Sequence, residues 1–100
     1  MFLSPSRNLW CVMAIKKVDC QSAKPSHSAR LNTRGAVRTC KGTSCAEEGT
    51  EPERVQVLRY GHALAIGAFR CSASTKGITC VARANHRGFR ISKSGTVRVS

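Results

Sequence analysis

Cys71-Ser72-Ala73-Ser74-Thr75-Lys76-Gly77-Ile78-Thr79-Cys80 decides the reading of this chain, because a counterpart stands near its start as Cys11-Val12-Met13-Ala14-Ile15-Lys16-Lys17-Val18-Asp19-Cys20. Each pair of cysteines encloses eight residues, and both segments read C-x4-K-x-(V/I)-x-C. An aromatic precedes each one, Trp10 directly before Cys11 and Phe69 two positions before Cys71. Placing Cys71 opposite Cys80 sets Ser72 against Thr79 and Ala73 against Ile78. It leaves Ser74-Thr75-Lys76-Gly77 as a four-residue loop, with Gly77 at the position that wants positive φ. Directly opposed strand residues have Cβ atoms about 4.5–5.5 Å apart, within reach of a disulfide. The repeated segment is therefore expected to be a β-hairpin cross-linked between its own strands.

The remaining two cysteines are Cys40 and Cys45. Six cysteines in a 100-residue chain read first as a disulfide framework, which implies an oxidising compartment. Cys40-x4-Cys45 with another pair or a histidine offers zinc as the alternative. Against zinc, the eight-residue gaps are wider than knuckle spacing, and no histidine lies three to five residues from another. No metal or cofactor is expected.

Working outward, the last forty residues read as a β-meander with strands at 67–73, 78–83, 88–92 and 96–99. Ser94-Gly95 marks the final turn. A three-residue loop, Lys93-Ser94-Gly95, sets Ile91 opposite Val97 and Phe89 opposite Val99. It also sets Arg90 opposite Arg98, a like-charge pair that costs stability unless an anion is near. Val55, Val57 and Leu58 suggest a strand entering Tyr60-Gly61, and 61–68 a loop or strand. Residues 21–35 are polar and turn-rich and read as a long surface loop. Phe69, Phe89, Trp10 and Tyr60 are expected to be core. No long segment shows a 3.6-residue apolar period, so the fold expected is a small, disulfide-stabilised, all-β antiparallel domain covering 1–100, with a loop-rich, variable middle at 21–53.

The charge is unevenly laid out. Seventeen Lys and Arg face five Asp and Glu, for a formal charge of +12. Four of the acids are Glu47, Glu48, Glu51 and Glu53, and from Arg54 onward nine basic residues run with no acid. Arg70, Arg83, Arg87, Arg90 and Arg98 fall at outward or turn positions of the meander and are the candidate anion-binding residues. The partners this chemistry suggests are an anionic envelope polymer, a lipid headgroup, or nucleic acid bound without sequence preference. A monomer is expected. No stretch approaches 18 consecutive apolar residues, so no transmembrane helix is expected.

Catalytic motifs are lacking. Asp19 is isolated from other carboxylates, and the glutamate cluster sits in a Gly/Pro-containing, solvated stretch, which leaves no facing carboxylate pair. His62 and His86 have no acid after Glu53, and His27 lies in a polar loop. Neither phosphate-cradling glycine motif is present. A small hydrolase would have to bring His62 or His86 beside Asp19 or a glutamate, and no catalytic residue is assigned.

The order of motifs resembles a family of small exported actinobacterial proteins classed as a domain of unknown function. The resemblance rests on Phe2-Leu3-Ser4-Pro5-Ser6-Arg7-Asn8-Leu9-Trp10-Cys11, Val18-Asp19-Cys20, Leu58-Arg59-Tyr60-Gly61, Gly67-Ala68-Phe69-Arg70-Cys71, Gly77-Ile78-Thr79-Cys80 and Gly88-Phe89-Arg90-Ile91-Ser92. It implies a secreted or envelope-associated protein with no established enzymatic activity. Two positions depart from the pattern. The middle-loop P-x-x-C is missing, although Cys40 and Gly42 resemble the family's next cysteine motif, and Arg87 stands where a G-H-x-F histidine is common. Met1-Phe2-Leu3-Ser4-Pro5-Ser6-Arg7 is not a signal peptide, so an export signal is expected upstream of a start codon placed too far downstream.

Overall fold

The computed structural model describes residues 2–5, 8–22, 27–41 and 56–99. All regular structure among them is β: β1 (Phe2–Leu3), β2 (Leu9–Met13), β3 (Lys17–Ser22), β4 (His27–Asn32), β5 (Val37–Lys41), β6 (Gln56–Val57), β7 (Ala63–Ile66), β8 (Phe69–Ser74), β9 (Gly77–Ala82), β10 (Gly88–Ser92) and β11 (Gly95–Val99). They form two sheets, ordered β5-β4-β3-β2-β1-β6 and β11-β10-β9-β8-β7. Neighbours are antiparallel except β6, which joins β1 in parallel through Phe2↔Gln56 and Leu3↔Val57. The sheets meet through β3 and β4 on one side and β9 and β10 on the other, a sandwich whose inward faces form one apolar core.

The two sheets are the same meander twice. In the central strands each residue answers to the one sixty positions later, Cys11 to Cys71 and Cys20 to Cys80. Register is kept as well: Cys11↔Cys20 and Val18↔Leu31 in the first sheet match Cys71↔Cys80 and Ile78↔Ile91 in the second. The inward positions of the first unit, Leu9, Cys11, Met13, Val18, Cys20, Ala29 and Leu31, are all buried. So are their counterparts Phe69, Cys71, Ala73, Ile78, Cys80, Phe89 and Ile91. Identity is lost at most of these sites while the pattern of burial is kept. Where one unit carries a small residue the other carries a large one, as Ala29 against Phe89 and Met13 against Ala73.

Both expected clips are present, Cys11–Cys20 and Cys71–Cys80, each with Cα atoms 4.1 Å apart. Both are fully buried, and the Sγ atoms of Cys20 and Cys80 touch at 3.8 Å across the space between the sheets. Neither sulfur carries a hydrogen, so this is a packing contact between two disulfides. Beside it, His27 Nε2–H donates to the Ser92 carbonyl at 2.7 Å, tying β4 to β10. Asn85 Nδ2 donates to the Arg34 carbonyl at 2.9 Å, tying the β9–β10 turn to the β4–β5 turn. Cys40 is also disulfide-bonded. Cys45, and with it the expected Cys40–Cys45 pairing, lies outside the described residues, as do Glu47, Glu48, Glu51 and Glu53.

Five local expectations are corrected. The 21–35 loop contains β4, whose alternation His27-Ser28-Ala29-Arg30-Leu31-Asn32 buries every first residue; small and polar side chains masked a period of two. His27 is accordingly 6% exposed and bonded, not solvated. The β8–β9 loop has two residues, Thr75 and Lys76, because Ser74 pairs with Gly77 and the Ser74 hydroxyl takes the Lys76 amide at 3.2 Å. Gly77 sits at φ +129°, and a Cβ there would run into the Ile91 carbonyl. The last turn is also two residues, Lys93 and Ser94, closed by Ser92↔Gly95, which shifts the register by one. Arg90 therefore faces Val97 and Arg98 faces Phe89, so the two arginines are not opposed. Among the aromatics Phe2, Phe69 and Phe89 are core, whereas Trp10 is half-buried and Tyr60 is 48% exposed.

Removing one clip, as Cys11→Ala with Cys20→Ala or as Cys71→Ala with Cys80→Ala, is expected to cost about 2–4 kcal/mol in urea unfolding. Because the clips touch, the variant lacking both is expected to depart from the sum of the two losses by at least about 0.5 kcal/mol. Strictly additive losses would show that the contact carries no coupling.

Candidate anion-binding groove

The outward face of the second sheet is set by alternation. In β8, β9 and β10 the inward residues are apolar, so Arg70, Ser72, Thr79, Val81, Arg90 and Ser92 point away from the core. Arg90 stands between Thr79 on β9 and Val97 on β11. Around it an open groove of about 1160 Å³ runs across one end of the sandwich. Its walls come from the β8–β9 turn with Lys76, the β10–β11 turn with Lys93, and the β1–β2 segment with Ser4 and Asn8, with Tyr60 also lining it. Among the described residues, no acid lines it.

The five candidate arginines are therefore dispersed. Arg90 lies in the groove. Arg70 shares its face of the sheet but lies in the neighbouring row, opposite Ala65 and Val81. Arg87 and Arg98 line a separate depression of about 310 Å³ with Gly35 and Val99. Arg83 sits in the β9–β10 turn, its Nη1 3.5 Å from the Gly67 carbonyl. The groove instead gathers Arg90 with two lysines that the sequence reading leaves aside. Lys76 is visible there as the lysine common to both clips; Lys93 follows only from the turn that brings β11 back beside β10.

The described acid lies on the other sheet. Asp19, with a side chain only 15% exposed, accepts from Arg30 Nε at 2.6 Å and lies 3.5 Å from Lys17 Nζ. His62 and His86 are exposed, His62 just before β7 and His86 in the β9–β10 turn at φ +59°. Three thiol-type sulfurs, of Cys11, Cys20 and Cys80, lie within 4.8 Å of one another, but all are held in disulfides, which leaves no thiolate to ligate a metal.

Family models, curated proteins and solved structures were compared with the chain, and none matches it.

Thr96, on the groove wall, carries a buried Oγ1 with no hydrogen-bond partner among the described residues. A desolvated, unpaired hydroxyl is costly. Thr96→Val is therefore expected to raise stability by about 1 kcal/mol in chemical denaturation, and a loss of that size would show that the hydroxyl is satisfied in solution.

Proposed function

We propose that this protein is an exported binding module, working outside the cell or at its envelope and holding a partner without transforming it. The observation that carries this reading is the pair of fully buried disulfides in contact at the centre of the sandwich. A core built around oxidised sulfur is suited to an oxidising compartment and is a liability in a reducing one. The motif resemblance to small exported proteins points the same way.

Expression supplies the test. Directed to an oxidising compartment, the chain is expected to be soluble, protease-resistant and free of titratable thiols. Made in a reducing cytosol, it is expected to lose that resistance. Equal resistance in both settings, with thiols free in the second, would overturn the reading.

A second reading, that the partner is a polyanion, is favoured by the groove around Arg90, which no acid lines among the described residues, and by the net charge of +12. It requires the logarithm of the affinity for a polyanion to fall linearly with the logarithm of salt, since binding releases counterions. Salt-independent binding, or none at low salt, would remove it.

A further inference from the structure

The duplication lets the two outer faces be compared position by position. In the first sheet Arg30 stands opposite Asp19. The Asp19 carboxylate lies between Arg30 Nε at 2.6 Å and Lys17 Nζ at 3.5 Å, so the chain supplies its own anion to that face. Sixty residues later Arg90 stands opposite Thr79. The cation is kept and the carboxylate has become a hydroxyl. Lys76, the counterpart of Lys16, and Lys93 join Arg90 along the groove. Among the described residues none of these three cations makes an ion pair, the two ion pairs there both going to Asp19.

From this difference we infer that the groove is a site for a carboxylated glycan, its uronate carboxylates occupying at Arg90 the place that Asp19 fills at Arg30. The inference rests on the polyanion reading and names its ligand. The carboxylate is argued from Asp19, an anion of that class already seated against the equivalent guanidinium, where charge-assisted N–H···O bonding is strongest. The glycan is argued from the rest of the wall. Ser74, Ser92 and Ser94 line it with hydroxyls whose protons serve their own turns, Ser92 and Ser94 meeting at 3.0 Å, and whose remaining lone pairs accept from sugar hydroxyls. Tyr60 gives it an exposed ring, an apolar body with a polar tip, against which the C–H face of a sugar packs. Single-stranded nucleic acid uses successive aromatics to stack successive bases, and among the described residues this groove is lined by one aromatic.

The experiment titrates the full, oxidised chain with polygalacturonate, with a neutral glucan and with single-stranded DNA at about 50 mM salt, where polyanion contacts are well expressed. The wild type is expected to bind polygalacturonate and not the glucan. Arg90→Ala is expected to weaken that binding by about tenfold or more, a loss of about 1.4 kcal/mol, while Arg70→Ala, on the same face outside the groove, changes it less than about twofold. Lys93→Ala, in an exposed turn where folding is not at stake, is expected to weaken it by a few-fold. Asp19→Asn, which removes the carboxylate facing Arg30 and Lys17, is expected to add uronate binding at the first unit.

Equal losses from Arg70→Ala and Arg90→Ala, or no loss from Lys93→Ala, would mean diffuse charge, overturning the site while the polyanion reading stands. Failure of Asp19→Asn to add binding would overturn the use of Asp19 as the guide to the ligand. DNA bound more tightly than polygalacturonate, with the same dependence on Arg90, would overturn the glycan. Absence of binding to either polyanion would remove the site and the polyanion reading together.

Discussion

The contact between two disulfides organises this molecule. Cys11–Cys20 closes the β2–β3 hairpin, Cys71–Cys80 closes β8–β9, and Cys20 meets Cys80 where the sheets come together. A chain of 100 residues has a small interior, and its own apolar contacts leave a narrow margin over conformational entropy. Each clip restrains the unfolded chain and also fills volume in the core, so the same sulfur atoms act on both sides of the folding equilibrium. Around them Phe2, Leu31, Phe69, Ile78, Phe89 and Ile91 are fully buried. A transverse row in each sheet, Ala29-Cys20-Cys11-Phe2 and Phe89-Cys80-Cys71-Leu64, carries its clip at the centre.

Doubling one meander explains why so irregular a sequence makes so regular a sandwich. The clip and the central registers repeat at a fixed offset, whereas core side chains trade size between units and outward side chains diverge freely. A core demands total volume and the absence of polar atoms, and it tolerates exchange between positions that share a space. An outward face has no such constraint. That is where Asp19 has become Thr79 while Arg30 has remained a cation as Arg90, and where the units come to differ chemically. At this point the first outer face sets a carboxylate, Asp19, between two cations, Arg30 and Lys17, and the second sets a hydroxyl, Thr79, beside Arg90.

Legibility in the sequence followed the strength of local signals. The clips were readable from two equal cysteine gaps, and with them the pairing of Ser72 with Thr79 and Ala73 with Ile78. The meander strands were readable because apolar residues alternate there at full size. β4 was hidden because its inward residues are His27, Ala29 and Leu31, two of which look like loop residues until something covers them. The full sixty-residue repeat was hidden for the same reason: at Ala29 and Phe89 burial is shared and residue type is not. The last hairpin differs by one residue from the sequence expectation, since Lys93-Ser94-Gly95 fits either loop length, and that single step decides which residues face Arg90.

By itself the sequence determined the fold class, the two cross-linked hairpins and the segregation of acid from base, because each depends on residues close in the chain. Composition also set the charge of +12. Tertiary structure alone decided that the clips touch, that five candidate arginines spread over four places, and that Arg90 meets Lys76, Lys93 and Tyr60 in one groove. The reason is physical. Hairpins are fixed by neighbours a few residues apart, whereas a groove between turns depends on registers and sheet packing that bring together residues far apart in the chain.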